Sequence, residues 1–433
     1  MSQTAVPVES PPGAPAPLPR YAPLAVAVLV SALLTAQAML VMSGISFWMT
    51  DFLAYRGGGH AVLHQLRIYD VGVDTPTFAG LHFIYTPFAA VLLAPVAALG
   101  LSASEAVWTF ASFLALAGGL WASLRMVGES SRTRLTLLMA GGMLVASFLS
   151  PVEYNMLLGQ INLFVMALVL VDFLPGGSGK WRGVGIGIAA GLKLTPLLFV
   201  GYLLLTGRRR DALRALAAFA ATILVGWAVV PTDSRAYWLH GIFYRSSRMV
   251  PGNILVNHSL PGFFARLEHT TTPPGWTLAV SAVVGLLCLA AAVRAHRLGQ
   301  DMVGMLVIAF AAQLVSPITW MHHGVWVVPA LIWLGRATWR EGTVLPRVVL
   351  GLATVWYLVP VWVLGQRPSG HTAYQWTVPG DLLETLTGNL VPAVLALALL
   401  PVWLRRLRPP AGQRPAIPAA ARPEARSEEA VGK

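Results

Sequence analysis

Predominantly apolar stretches of about 20 residues recur along this chain from residue 21 to residue 404, and a helix of that length crosses about 30 Å of hydrocarbon. In a bilayer every backbone N–H and C=O must be satisfied within the protein, which leaves only helices and closed barrels. A barrel would show alternating strands of about ten residues, and none are seen. Candidate spans fall at 21–43, 81–99, 103–124, 135–150, 157–175, 183–206, 212–231, 276–295, 302–318, 323–336, 347–365 and 386–404, predicting an all-α integral membrane protein with about 10–13 transmembrane helices. With 56% hydrophobic and 11% charged residues over 433 positions, the chain lies far from soluble composition. Ala36-Gln37-Ala38 imitates a signal-peptide cleavage site, but the run continues through Met42 and no lysine cluster precedes it, so a retained anchor is expected. Residues 1–20 and 407–433, rich in Pro, Ala and charge, read as disordered cytoplasmic tails around one membrane domain over 21–406.

The net charge of +12 would suggest nucleic acid for a soluble protein, yet the basic residues cluster in short connections between spans, where they report orientation. Arg294, His296 and Arg297, then Arg336, Arg340 and Arg347, then Arg405, Arg406 and Arg408 mark cytoplasmic ends, as do Arg208, Arg209, Arg210 and Arg214. The connection 44–80, the loop 232–275, "SPITWMHH" and the loop 366–385 are then outside. Arg125, Arg132 and Arg134 also look cytoplasmic, which conflicts with Arg208–Arg210 if every span crosses once. A break at Lys193 and Pro196 that turns 183–206 into two half-length helices, dipping and returning, removes the conflict.

The single Cys288 allows no internal disulfide and reads as packing. No P-loop, dinucleotide fingerprint, zinc spacing or Asp-x-Asp pair is present, which argues against ATP-driven transport and nucleotide-sugar donors. Polar residues at the edges of apolar runs are expensive, so they are the candidates for function. Asp51 follows the first span and opens a stretch, Phe52–Leu66, with the look of an interfacial helix; it is either functional or that helix's N-cap. His82 and Tyr85 sit at the start of the next run. Gln160 and Asn162, near Glu153 and Asn155, either bind a ligand or bridge helices. Lys193, deep in an apolar run, must snorkel, pair or bind an anion. Asn257 and His258 lie in the long outer loop, and Trp320, His322 and His323 end a span as interface anchors or site residues.

In the order "TDFLAYRGGG" with "RIYD", "FIYTPFAAVLLAP", "GQINLFVMALVLVDF", "AAGLKLTPLLF" before "GRRR", "NHSLPG" and "SPITWMHHGVW", the chain resembles glycosyltransferase family 87 from about residue 45 to 365. These are GT-C-type membrane enzymes that use polyprenyl-phosphate sugars; actinobacterial members add α-1,2-mannose to phosphatidylinositol mannosides and lipomannan, and related sequences transfer arabinofuranose. The resemblance implies a multi-helix GT-C bundle in the plasma membrane, an active site facing outside the cytoplasm, and a polyprenyl-phosphate-mannose donor with a glycolipid acceptor. It also implies Asp51 as catalytic base and His322 as its partner.

Inverting transfer from such a donor needs a base for the acceptor hydroxyl, which suits Asp51, and donors for the departing phosphate, which Lys193 and His323 could supply without a metal or other cofactor. Tyr55, Tyr69, Tyr85 and Trp320 either line sugar sites or pack, and His82, Gln160, Asn162, Asn257 and His258 complete the expected substrate-binding set. An arabinofuranosyltransferase using polyprenyl-phosphate-arabinose, a lipid-linked sugar transporter or flippase, and a noncatalytic scaffold for envelope synthesis are the alternatives; the last two do not need Asp51 for turnover.

Overall fold

The computed structural model describes residues 18–358 except 42–43, 46–47, 76–78, 177–178, 245–256, 269, 271 and 342–343. The expected span 386–404, the loop 366–385, the basic residues at 405–408, the tail 407–433 and nearly all of 1–20 lie outside the described residues. Among the described residues the chain runs α1 (Ala22–Val41), α2 (Thr50–Leu63), β1 (Gly72–Val73), β2 (Leu81–His82), α3 (Pro87–Ala97), α4 (Leu101–Met126), α5 (Arg132–Ser147), α6 (Ser150–Leu158), α7 (Asn162–Asp172), α8 (Val184–Leu192), α9 (Leu197–Leu205), α10 (Arg209–Val229), α11 (Pro231–Trp238), α12 (Leu260–Leu267), α13 (Thr277–Arg297), α14 (Asp301–Val315), α15 (Val327–Glu341) and α16 (Val344–Leu358). The protein is an all-α membrane protein, and among the described residues its one sheet is a two-residue antiparallel pairing of β1 with β2.

Four described helices (α1, α4, α10 and α13) are long and apolar enough to cross a membrane, and α5 with α6, bent by 73°, makes a fifth if counted as one span. The apolar run 81–99 departs from its expected form. It becomes β2 and α3, whose 11 residues reach only about 16 Å at 1.5 Å per residue. This segment lies along α2 instead, and three glycines explain the fit. A Cβ on Gly58 would meet the Phe83 ring at 2.6 Å, one on Gly59 would meet the Leu93 backbone at 2.8 Å, and one on Gly57 would collide with Val73. The "RGGG" of α2 is therefore a contact surface for the chain that follows.

The run 157–175 also divides. Gly159 ends α6 with φ 66, a left-handed conformation that favours glycine, and a side chain there would strike Phe52 and Met49. Trp108 donates its indole N–H to the Gly159 carbonyl at 2.7 Å, and the Met49 N–H reaches Leu157 O at 2.8 Å. These bonds press the α6–α7 turn against the start of α2.

In 183–206 the expected break is present. Lys193 is extended (φ −148, ψ 130) and Pro196 precedes α9; proline disfavours helix at the residue before it, so α8 cannot run into α9. A Cβ on Gly183 would meet Asp211, one on Gly187 would meet Ala215 and Phe219, and one on Gly191 would meet Thr222. α8 thus rises alongside α10 in the same direction. α9 then returns, because Arg208 just beyond it donates to Asp172 O at 3.5 Å and lies 4.9 Å over the Phe173 ring. Both feet of the α8–α9 hairpin stand at one end of the bundle, with Lys193 at its apex.

α13 and α14 pack antiparallel, Gly304 against Ala292 and Gly285 against Val315. Beyond α14 the chain forms an irregular segment and a 3-10 turn, Met321–Trp326, which packs on α6, α7 and α14 before α15.

Candidate functional site

A cavity of about 270 Å³ lies where α2, the β2–α3 segment, the α6–α7 turn, the hairpin apex and the 316–323 segment converge. Asp51, Tyr55, His82, Tyr85, Gln160, Lys193, Trp320, His322 and His323, nine of the residues singled out in the sequence, all line it.

Asp51 lies in the first turn of α2, where Met49 is the N-cap, so the capping reading of Asp51 fails. Its Oδ2 accepts from Gln160 Nε2 at 2.6 Å instead. Burial pushes the Asp51 carboxyl up to about 6, while the Gln160 N–H and the positive charge of Lys193 restrain that rise.

The Gln160 carbonyl oxygen, Oε1, lies 2.8 Å from the Tyr55 hydroxyl, 3.3 Å from the Tyr85 hydroxyl and 3.4 Å from Asn162 Nδ2. The two phenols are 2.8 Å apart, with their rings edge to face. Asn162 opens α7 just behind the cavity wall. Its Oδ1 accepts from Lys193 Nζ at 2.9 Å, and its Nδ2 also reaches His322 O at 3.2 Å. Lys193 Nζ lies 3.0 Å from His323 Nε2 and 5.8 Å from the centre of the Tyr85 ring. An ammonium only donates, so His323 receives that contact on Nε2, while its Nδ1 lies 3.4 Å from the Trp320 backbone N–H. Lys193 therefore pairs within the site; it does not snorkel. The His322 ring lies between Trp320, 5.8 Å away, and His323, 4.9 Å away.

Asn257 and His258 are buried but do not line the cavity. Asn257 Oδ1 accepts from Thr319 N at 2.9 Å and Ser259 N at 3.1 Å, and its Nδ2 donates to Pro317 O at 2.9 Å. The His258 N–H donates to Thr319 O at 2.6 Å. The "NHS" segment thus holds the backbone of "SPITWMHH" in place through the Asn257 amide and the His258 main chain. Tyr69 likewise stands behind the wall, donating to Tyr85 O at 2.8 Å and stacking on Tyr237 at 5.6 Å.

Tyr237 and Phe243 line the cavity without having been singled out. The aromatic run "YWLHGIF" was their only signal. Asp233, nearby in α11, accepts from Ile68 N at 3.0 Å and pairs with Arg67 at 3.8 Å, tying "RIYD" to this wall.

A second, apolar cavity of about 760 Å³ runs between α3, α4, α7 and α8. Leu93, Trp108, Ile161, Phe164 and Ile188 line it, and Leu192, directly before Lys193, lines both cavities. The site therefore holds a carboxylate, a lysine with two histidines and an aromatic wall, and shares Leu192 as a common wall with an apolar trough. That set can accept a proton from a hydroxyl and stabilise a departing anion attached to a hydrocarbon chain.

Residues 83–317 match glycosyltransferase family 87. A polyprenol-phosphate-mannose-dependent alpha-(1-2)-phosphatidylinositol mannoside mannosyltransferase of Mycobacterium tuberculosis is 33% identical over 312 residues, covering 68% of this chain and 72% of that protein. Its namesake in Mycolicibacterium smegmatis is 31% identical, over 75% of this chain and 78% of its own length. A polyprenol-phosphate-mannose-dependent alpha-(1-2)-phosphatidylinositol pentamannoside mannosyltransferase, also of Mycolicibacterium smegmatis, is 33% identical over 341 residues, 76% of this chain and 80% of that one.

Proposed function

Given that the chain belongs to glycosyltransferase family 87, we propose that it transfers mannose, with inversion, from polyprenyl-phosphate-mannose to a mannosylated phosphatidylinositol lipid, forming an α-(1-2) linkage. The observation that carries this reading is the shared wall at Leu192. Asp51 and Lys193 line one cavity, and Leu192, directly before Lys193, lines both that cavity and the apolar trough.

In this reading the prenyl tail lies in the trough and the phosphate lies against Lys193. Two of the three Lys193 N–H groups are engaged by Asn162 and His323, leaving the third for the phosphate. The mannose fills the cavity beside Tyr85 and Trp320, and the acceptor hydroxyl reaches Asp51. The hydroxyl oxygen attacks the anomeric carbon as its proton passes to Asp51, and the bond from that carbon to the phosphate oxygen breaks with both electrons leaving on phosphate. The products are the α-mannoside, polyprenyl phosphate and protonated Asp51, which then releases its proton to water. Polyprenyl phosphate is a weak base, so cationic and hydrogen-bond donors suffice and no metal or other cofactor is needed.

The domain between residues 21 and 406 is the catalytic unit. The cavity opens outside the cytoplasm at the plasma membrane, opposite the arginine-rich ends of the helices. A donor that is already activated fits that side, where ATP is absent.

The test uses the full-length protein in nanodiscs with polyprenyl-phosphate-mannose and a phosphatidylinositol mannoside acceptor. Wild type makes the elongated lipid; Asp51→Asn binds the donor with unchanged affinity but loses turnover by about 10²- to 10⁴-fold, the usual contribution of a general base. Donor binding without product from wild type would instead favour the flippase reading.

A further inference from the structure

Among the described residues Asp51 takes its side-chain hydrogen bond from one group only, Gln160, whose sequence position had suggested sugar contact or a helix bridge. Resting on the reaction just described, we propose that Gln160 is a positioning residue, which fixes Asp51 with one oxygen held and the other left for the acceptor hydroxyl.

The hydrogen-bond directions follow from the two ends of a chain of contacts. Lys193 only donates, so Asn162 must present Oδ1 to it at 2.9 Å and turn Nδ2 the other way. That Nδ2 faces Gln160 Oε1 at 3.4 Å. Ionised Asp51 only accepts, so Gln160 must present Nε2 to it at 2.6 Å. Lysine, asparagine, glutamine and aspartate therefore form one directed series from the cation to the base, and a flipped Gln160 amide would set oxygen against carboxylate. The phenols reinforce this orientation. The two hydroxyls are 2.8 Å apart, and whichever way they share their protons one of them donates to Gln160 Oε1, Tyr55 at 2.8 Å or Tyr85 at 3.3 Å.

The backbone of Gln160 is fixed as well. Its N–H donates to Asn155 O at 2.8 Å, its carbonyl accepts from Asn155 Nδ2 at 3.0 Å, and it directly follows the left-handed Gly159. Gln160 is 6% exposed, which leaves it little surface for a sugar. Its Nε2 donation favours the ionised form of Asp51 and so opposes the effect of burial.

The experiment compares wild type, Gln160→Met and Tyr55→Phe in nanodiscs, measuring kcat, donor KM and the pH profile of kcat/KM with polyprenyl-phosphate-mannose. Gln160→Met keeps the side-chain length and removes both ends of the amide. Its kcat should fall roughly tenfold to a hundredfold with donor KM within about twofold, and the acidic limb of its profile should move up by about one pH unit. Tyr55→Phe should shift the limb the same way by less, and it decides the matter if Gln160→Met does not fold. A raised donor KM with an unmoved limb would make Gln160 a substrate contact and overturn the proposal, as would a profile identical to wild type. An inactive wild type, or an active Asp51→Asn, marks the failure of the transferase reading itself and removes this inference with it.

Discussion

A general base serves best when its own pKa lies just below the working pH, since it is then ionised yet still basic enough to take a proton. Asp51 meets that condition through burial in a site with one cation. Its pKa of about 6 predicts an acidic limb in the pH profile of kcat/KM. Only the ionised form accepts the hydroxyl proton, so activity is full above that pH and falls about tenfold per pH unit below it. Initial rates measured between pH 4.5 and 8 check this, and a flat profile across that range would contradict it. At this scale much of the site was legible, because Asp51, Gln160, Asn162 and Lys193 are costly in apolar surroundings and draw notice individually. Asn257 is polar too, but its amide is spent on the backbone of residues 317–319, where His258 bonds through its main-chain N–H. Residue type cannot distinguish a clamp from a contact. Tyr237 and Phe243 carried no signal beyond their place in an aromatic run, and only the fold brought them to the cavity wall.

At the level of elements, hydropathy located the apolar runs well, and most helices begin or end within a few residues of the expected spans. It could not say which runs cross. Segment 81–99 has the length of a span, yet the glycines of α2 give it a neighbour to lie along. Segment 183–206 was readable because Lys193 and Pro196 interrupt it. The α8–α9 hairpin depends on close approach to α10: a side chain on Gly187 would strike the Ala215 carbonyl and the Phe219 backbone. Gly187→Leu should therefore separate the two helices and cost about 1–3 kcal/mol, as overpacking does. The check is a lower unfolding midpoint in detergent together with weaker donor binding, since Lys193 is carried on the apex of the same hairpin.

For the molecule as a whole, the hairpin reconciles two arginine clusters that single crossings would put on opposite sides. Arg132, Lys180 and Arg209 are all exposed and should lie on the cytoplasmic side, with His64 on the other. Single cysteines at these positions should react with an impermeant maleimide accordingly: His64→Cys in intact cells, and Arg132→Cys, Lys180→Cys and Arg209→Cys only after lysis. The lone native Cys288 is 1% exposed, so background labelling should be low. Labelling of Arg209→Cys in intact cells would mean that 183–206 crosses after all.

The hairpin also bears on how the protein is made. An apolar segment of this length leaving the ribosome is read by the insertion machinery as a crossing, yet here both of its ends finish on one side. α8 packs on α7, which is made before it, and on α10, which emerges later. Contacts with α7 can therefore form as residues 183–206 are made, but the close seat of α8 against α10, and with it the final setting of Lys193 in the cavity, is complete only once α10 has emerged.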